Sequence, residues 1–178
     1  MARGRPSKKQ HIVTTARKLF AERGYQGTSV DLVVQYAEIS KPTVYNNFPT
    51  KLALLQLLLE QLTDELQQKL SLLPMADNAV EEALQTFRLL LDNSDWMLVY
   101  SIGLGEGHKL DEHTRDQIRR FDRQLKSWLS ERLRLHKVAT DSADAAFGCC
   151  REVTIVAKLL GEPVDFESAQ RQLQALFG

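Results

Sequence analysis

Cysteine is nearly missing: the 178 residues hold two, Cys149 and Cys150, side by side. Neighbouring cysteines bridge only with strain, so a disulfide framework is excluded, and their spacing rules out a CxxC metal motif. They read as small apolar residues of a buried helix, with a redox-sensing pair as the alternative. Long hydrophobic runs are also lacking. Runs such as Leu52-Ala53-Leu54-Leu55 and Leu57-Leu58-Leu59 fall far short of the roughly 20 residues of a spanning helix, so no membrane partner is expected. No apolar stretch follows the basic first residues, so no signal peptide is expected and the cytoplasm is the expected location. Strand-like alternation is absent too.

Net charge is lacking only in sum, with 23 Lys and Arg against 23 Asp and Glu. Residues 1–51 carry nine bases (Arg3, Arg5, Lys8, Lys9, Arg17, Lys18, Arg23, Lys41 and Lys51) and three acids (Glu22, Asp31 and Glu38), a net of +6. The remainder carries 14 bases and 20 acids, a net of −6. Such asymmetry points to a basic end made for a polyanion.

Apolar residues recur at helical spacing from end to end, which predicts an all-α fold of about nine helices. Ile12, Ala16, Leu19 and Phe20 form the stripe of a first helix over about 7–23, stopped by Gly24. Thr28 or Ser29 can cap a second, with Val30, Val33, Val34 and Ala37 inward. Ser40 opens a short third helix with Pro42 in its first turn, where a missing N–H costs little, and Pro49 ends it. Thr50 caps a long fourth helix to about Leu73. Five more follow, opened by Asp77, by Ser94 or Asp95, and then by about Asp111, Asp141 and Asp165.

Residues 29–48 meet the demands of a helix-turn-helix: two helices, a tight turn and a short, capped, polar-faced second helix. Val33, Val34, Ala37, Ile39, Val44 and Phe48 can form one inner surface. That leaves Lys41, Thr43, Tyr45, Asn46 and Asn47 outside, where a recognition helix meets base edges in the major groove.

The stretch from Ile12 to Phe20, then Gly24-Tyr25, Thr28-Ser29-Val30, residues 37–40 and Thr43-Val44-Tyr45-Asn46-Asn47-Phe48-Pro49-Thr50-Lys51 resembles the TetR family of bacterial transcription regulators. The resemblance covers about a third of the chain. It implies a DNA-binding domain at 1–50 and an effector-binding, dimerising helical bundle at 51–178. It also implies a homodimeric repressor on a palindromic double-stranded operator, released by a small molecule. By position, it makes Lys41 and Thr43 groove-facing, and Tyr45 and Asn47 phosphate or base contacts. Lys51, Thr28 and Ser29 become phosphate contacts, the last two at a helix N-terminus. Arg3 and Arg5 resemble an arm for the minor groove. Two positions depart from the family: Glu38 stands where its turn usually has glycine, and Asn46-Asn47 replace an aromatic and a histidine.

The middle helices carry Phe87, Trp96, Met97, Tyr100, Phe121 and Trp128, candidates for an effector cavity as well as for core. Residues 141–177 are apolar on more than one side, Ile155, Val156 and Leu159 lying off the main stripe, and a twofold dimer would cover them. Gly103-x-Gly105-x-Gly107 lacks the strand and lysine-serine of a phosphate loop and reads as a helix end with a flexible linker. His108 and His113 do not share a helical face, so no metal site is expected. His136 and the arginines from Arg115 to Arg123 read as surface groups. No nucleophile-base pair, metal-ligand set or cofactor fingerprint appears. No cofactor and no enzymatic activity are expected.

Overall fold

The computed structural model describes residues 7–178, so Arg3 and Arg5 lie outside the described residues. Two compact units meet at Leu62 and Thr63. The first contains α1 (Lys8–Arg23), α2 (Val30–Ala37) and α3 (Lys41–Asn47), and the boundary falls inside α4 (Lys51–Leu72). The second continues with α5 (Ala79–Leu91), α6 (Ser94–Glu106), a 3-10 turn (Gly107–Lys109) and α7 (Glu112–Leu135). Next comes α8, one rod over 140–160 containing a π-helical segment at Glu152–Val156, and α9 (Phe166–Phe177) closes the unit. Among the described residues there are nine helices and no strand.

Local chemistry explains most of the ends. Ser7, Ser29, Asn78, Asp111 and Asp165 each accept the orphan N–H three residues on. Asn78 thus caps α5 where Asp77 was expected. Gly24 and Gly161 stop their helices at φ 71° and 75°. In the first unit Ile12, Ala16, Leu19, Phe20, Val33, Ala37, Val44 and Phe48 are buried, the inward set the pattern predicts. Val34 and Ile39 are half-exposed instead.

Two expectations fail in the second unit. The glycine-rich stretch is not a linker: Gly103 and Gly105 lie inside α6. A Cβ on Gly103 would come 2.9 Å from Ile118 Cγ2, so a bare backbone lets α6 and α7 approach there. Spacings of three and four predict an inward stripe of Ala143, Ala146, Phe147, Cys150, Val153, Ala157 and Leu160 along α8; Ala157 is buried as expected, but Val153 and Leu160 are not. A π turn inserts extra backbone and delays the register by about one position. Thr154 and Ile155 are therefore buried, while Val153 is half-exposed and Leu160 is 68% exposed. Ile155 belongs to the core of the second unit rather than to an outer face.

Candidate nucleic-acid interface and bundle cleft

The turn between α2 and α3 forms at Glu38, whose φ of 53° and ψ of 34° are left-handed. This is where glycine would carry no penalty. Nε2 of His11, on α1, donates to the Ala37 carbonyl at 3.0 Å, fixing the end of α2. Pro42 sits in the first turn of α3, and Val44 and Phe48 point into the core with 0% and 3% exposure. Burying residues four apart on a seven-residue helix turns its other side outward.

That side carries Lys41, Asn46 and Asn47 exposed and Thr43 and Tyr45 half-buried, with Ser29 exposed at the start of α2. Asp31, in the first turn of α2, reaches across to it. Its Oδ1 lies 2.9 Å from the Lys41 ammonium and accepts the Tyr45 hydroxyl at 3.1 Å. The Lys41 ammonium stands 5.4 Å from the centre of the Tyr45 ring. The hydrogen bond from Lys41, then that from Tyr45, holds the Asp31 carboxyl below the usual carboxylate range. The same contacts push the Lys41 ammonium and the Tyr45 phenol upward. Asn47 donates to the Thr43 carbonyl at 2.8 Å, and the Ser40 and Thr43 hydroxyls are 2.8 Å apart. This outward face of α3 is thus a set of preoriented donors and one cation, with a single acid, Asp31, among them. Sequence reasoning missed Asp31. Its signal was its place as one of three acids in the basic stretch.

Two expected phosphate contacts are placed differently. Thr28 is 1% exposed, and its one hydroxyl proton is shared by the Leu19 and Gly24 carbonyls at 3.1 and 3.0 Å. Its hydroxyl joins α1 to the α2 turn. Lys51 is half-buried; its ammonium donates to the Tyr25 carbonyl at 2.8 Å and lies 4.1 Å from the centre of that ring.

In the second unit, most of the expected cavity aromatics are core. Phe87 packs on Phe147 with centroids 5.6 Å apart, and Trp96 and Tyr100 stand edge-on to Phe121 at 6.5 and 5.9 Å. Phe87, Trp96 and Phe121 are fully buried and Met97 nearly so. Trp128 is half-buried with the Arg132 guanidinium 5.0 Å from its ring centre. Of the six, Tyr100 lines the cleft formed by α6, α7 and α8, whose volume is about 360 Å³. Its hydroxyl donates to Asp122 at 3.0 Å, and burial, followed by the Asp122 charge, pushes the phenol well above its ordinary range. Cys150 is buried, its thiol pushed up to about 12 mainly by burial, whereas the half-buried Cys149 donates to Gln172 at 2.8 Å.

A buried ionic cluster was also missed. Glu82 is fully buried on α5 and accepts from Arg132 at 2.7 and 3.2 Å and from the Ala76 N–H at 2.8 Å, with His136 Nε2 3.5 Å away. Arg132 also donates to the Pro74 carbonyl at 2.6 Å. Burial opposes ionisation of Glu82, but the Arg132 and Ala76 hydrogen bonds outweigh it and hold the carboxyl below its usual range. The signal was spacing, since Glu82 stands four and eight residues before buried Thr86 and Leu90. Among the described residues no group of three or more metal-ligating side chains comes together, and no helix is long and apolar enough to cross a membrane.

Comparison with known proteins agrees with this geometry. Residues 12–58 match the family model described as bacterial regulatory proteins, tetR family. The chain is similar to the HTH-type transcriptional repressor DhaR of Mycobacterium sp. (strain GP1), 35% identical over 63 residues, or 35% of this chain. That stretch spans 32% of the length of DhaR. A transcriptional regulator of the TetR family from Agrobacterium tumefaciens superimposes with a TM-score of 0.76 at 19% identity, over 97% of this chain and 98% of the other. The multidrug binding protein EbrR, solved with ethidium, does so with a TM-score of 0.74 at 19% identity, over 97% and 99%. At such identity these two share the fold. Residues 12–58, with the helix-turn-helix found within them, thus match the TetR family of bacterial regulatory proteins, and the whole chain shares the fold of these two solved structures.

Proposed function

We propose that the protein is a cytoplasmic transcriptional repressor that binds a palindromic double-stranded operator as a homodimer and leaves it when a small molecule occupies the helical bundle. The outward face of α3 carries the reading: Lys41, Asn46 and Asn47 exposed beside Tyr45, above buried Val44 and Phe48. Side chains of this kind reach base edges and phosphates, and a seven-residue helix is short enough to lie in a major groove. The N-terminus of α2, with Ser29 exposed, offers backbone N–H groups to a phosphate. Arg3 and Arg5 precede it as a minor-groove arm.

A dimer supplies the second copy. Over 141–177, Val153, Val156 and Leu159 are half-buried and Leu160 and Leu176 exposed, an apolar set that a twofold partner would cover. Two recognition helices about 34–36 Å apart then match successive major grooves on one DNA face. The cleft beside Tyr100 is the effector site in this reading, and its size lies within the range of small-molecule sites. That EbrR shares the fold and was solved with ethidium supports a ligand in such a bundle. An effector with unequal affinity for two conformations shifts the population toward the one that grips DNA poorly.

Selection of binding sequences from a random duplex pool by the purified protein tests the reading. An inverted repeat is the expected product, and Tyr45→Ala should abolish binding to it while the dimer stays folded. Operator affinity unchanged in a band-shift assay would remove Tyr45 from the interface. Recovery of no sequence preference would end the proposal.

A further inference from the structure

Three arginines stand around the cleft of the second unit: Arg119 and Arg123 from α7 and Arg151 from α8. One carboxylate, Asp122, lines it with them. Asp122 is already engaged, since Oδ1 accepts the Tyr100 hydroxyl and Oδ2 faces Arg151 at 3.7 Å. That second separation exceeds hydrogen-bond length, so Arg151, 37% exposed, keeps donors for another acceptor. Arg119 is held by Glu112 and Asp116 of its own helix. Arg123 is exposed and acts on Asp116 through space. The remaining lining is apolar: Val99, Gly103, Leu104 and Ile118. Leu104 is 55% exposed there, and Gly103 withholds a side chain from the same wall.

A cation entering this space would pass guanidinium groups to reach a carboxylate that already has two partners. A neutral molecule would use the apolar wall and gain nothing from the arginines. An anion with an apolar body satisfies both, its carboxylate or other oxyanion meeting Arg123 and Arg151 in the forked geometry that guanidinium groups favour. We infer that the cleft takes a small amphipathic anion, with the charge at Arg123 and Arg151 and the apolar part against Leu104, Val99 and Ile118. This assignment rests on the reading of the cleft as a ligand site. It adds the chemical class.

Calorimetric titration of the full chain with octanoate, octylammonium and 1-octanol tests it, since the three share a chain and differ in head group. Octanoate should bind at least about tenfold more tightly than either of the others, the scale of one charge-assisted hydrogen bond. Arg123→Gln should remove about tenfold of that preference, Arg123→Glu more, and Leu104→Gln should weaken all three ligands together. Arg123 is exposed, so its variants are expected to keep the fold, which far-ultraviolet circular dichroism checks. Equal or tighter binding of octylammonium or 1-octanol, still weakened by Leu104→Gln, would overturn the anionic class and leave the cleft as a ligand site. Octanoate binding indifferent to both Arg123 variants would also overturn the class. Binding of none of the three would overturn the class and the cleft reading together.

Discussion

Removing either member of the Glu82–Arg132 pair leaves the other as an unmatched charge inside the second unit. Glu82 is fully buried and the Arg132 side chain 17% exposed. Breaking such a pair from one side costs about 3–5 kcal/mol, whereas replacing both members by apolar residues is often neutral or stabilising by about 1–4 kcal/mol. Glu82→Leu and Arg132→Met should therefore each destabilise by about 3 kcal/mol. The double variant should recover most of that, short of the acceptor lost by the Ala76 N–H. A domain of this size holds about 5–15 kcal/mol, so the single variants should remain folded in dilute buffer. Urea unfolding at fixed protein concentration reads the cycle. Both tryptophans of the chain, Trp96 and Trp128, lie in the second unit, so their fluorescence reports on that unit. Acid supplies a second axis. A carboxyl held below its unfolded value contributes stability that is present above about pH 4.3 and lost as pH falls through the lower folded value. Glu82→Gln should flatten that acid limb. Additive single effects, or losses under about 1 kcal/mol, would refute the claim that this cluster is electrostatically closed.

Glu38→Gly removes the cost of a left-handed non-glycine residue, about 1–2 kcal/mol, against the about 0.5–1 kcal/mol that glycine adds through the unfolded chain. A gain of about 0.5–1 kcal/mol in urea, with operator affinity retained, is expected. Lost stability would mean that the Glu38 side chain supports the turn. Thr28→Val should destabilise by about 1–3 kcal/mol through loss of the hydroxyl proton that the Leu19 and Gly24 carbonyls share, leaving the affinity of the folded fraction unchanged. A loss of affinity at full stability would return the Thr28 hydroxyl to the phosphate. Lys41→Gln should lower the salt slope of operator binding by about one. An unchanged slope would place its ammonium away from the backbone.

The first unit was the most legible part of the chain because its determinants are local. Ser7 and Ser29 cap, Gly24 stops, and Ile12, Ala16, Leu19 and Phe20 repeat at helical spacing without interruption. Glu38 could be placed in a positive-φ turn because the resemblance put glycine there. Features made by distant partners were not legible. Nothing near Thr28 in sequence announces the Leu19 carbonyl, and Glu82 meets Arg132 across 50 positions. The π turn of α8 shifted a periodic stripe that simple spacing carried straight on to Leu160. Phe87, Trp96 and Phe121 of the middle helices went into core packing, leaving Tyr100 in the cleft wall, because a stripe of apolar side chains does not reveal which members face a void.

Footprinting on the selected duplex tests the central claim most directly. With α3 presented once by each subunit of a twofold dimer, the account predicts two protected patches on one face of the DNA. Their centres should lie about one helical turn, or a whole multiple of it, apart, with inverted sequence in each. A single protected patch, or protection indifferent to sequence, would contradict it.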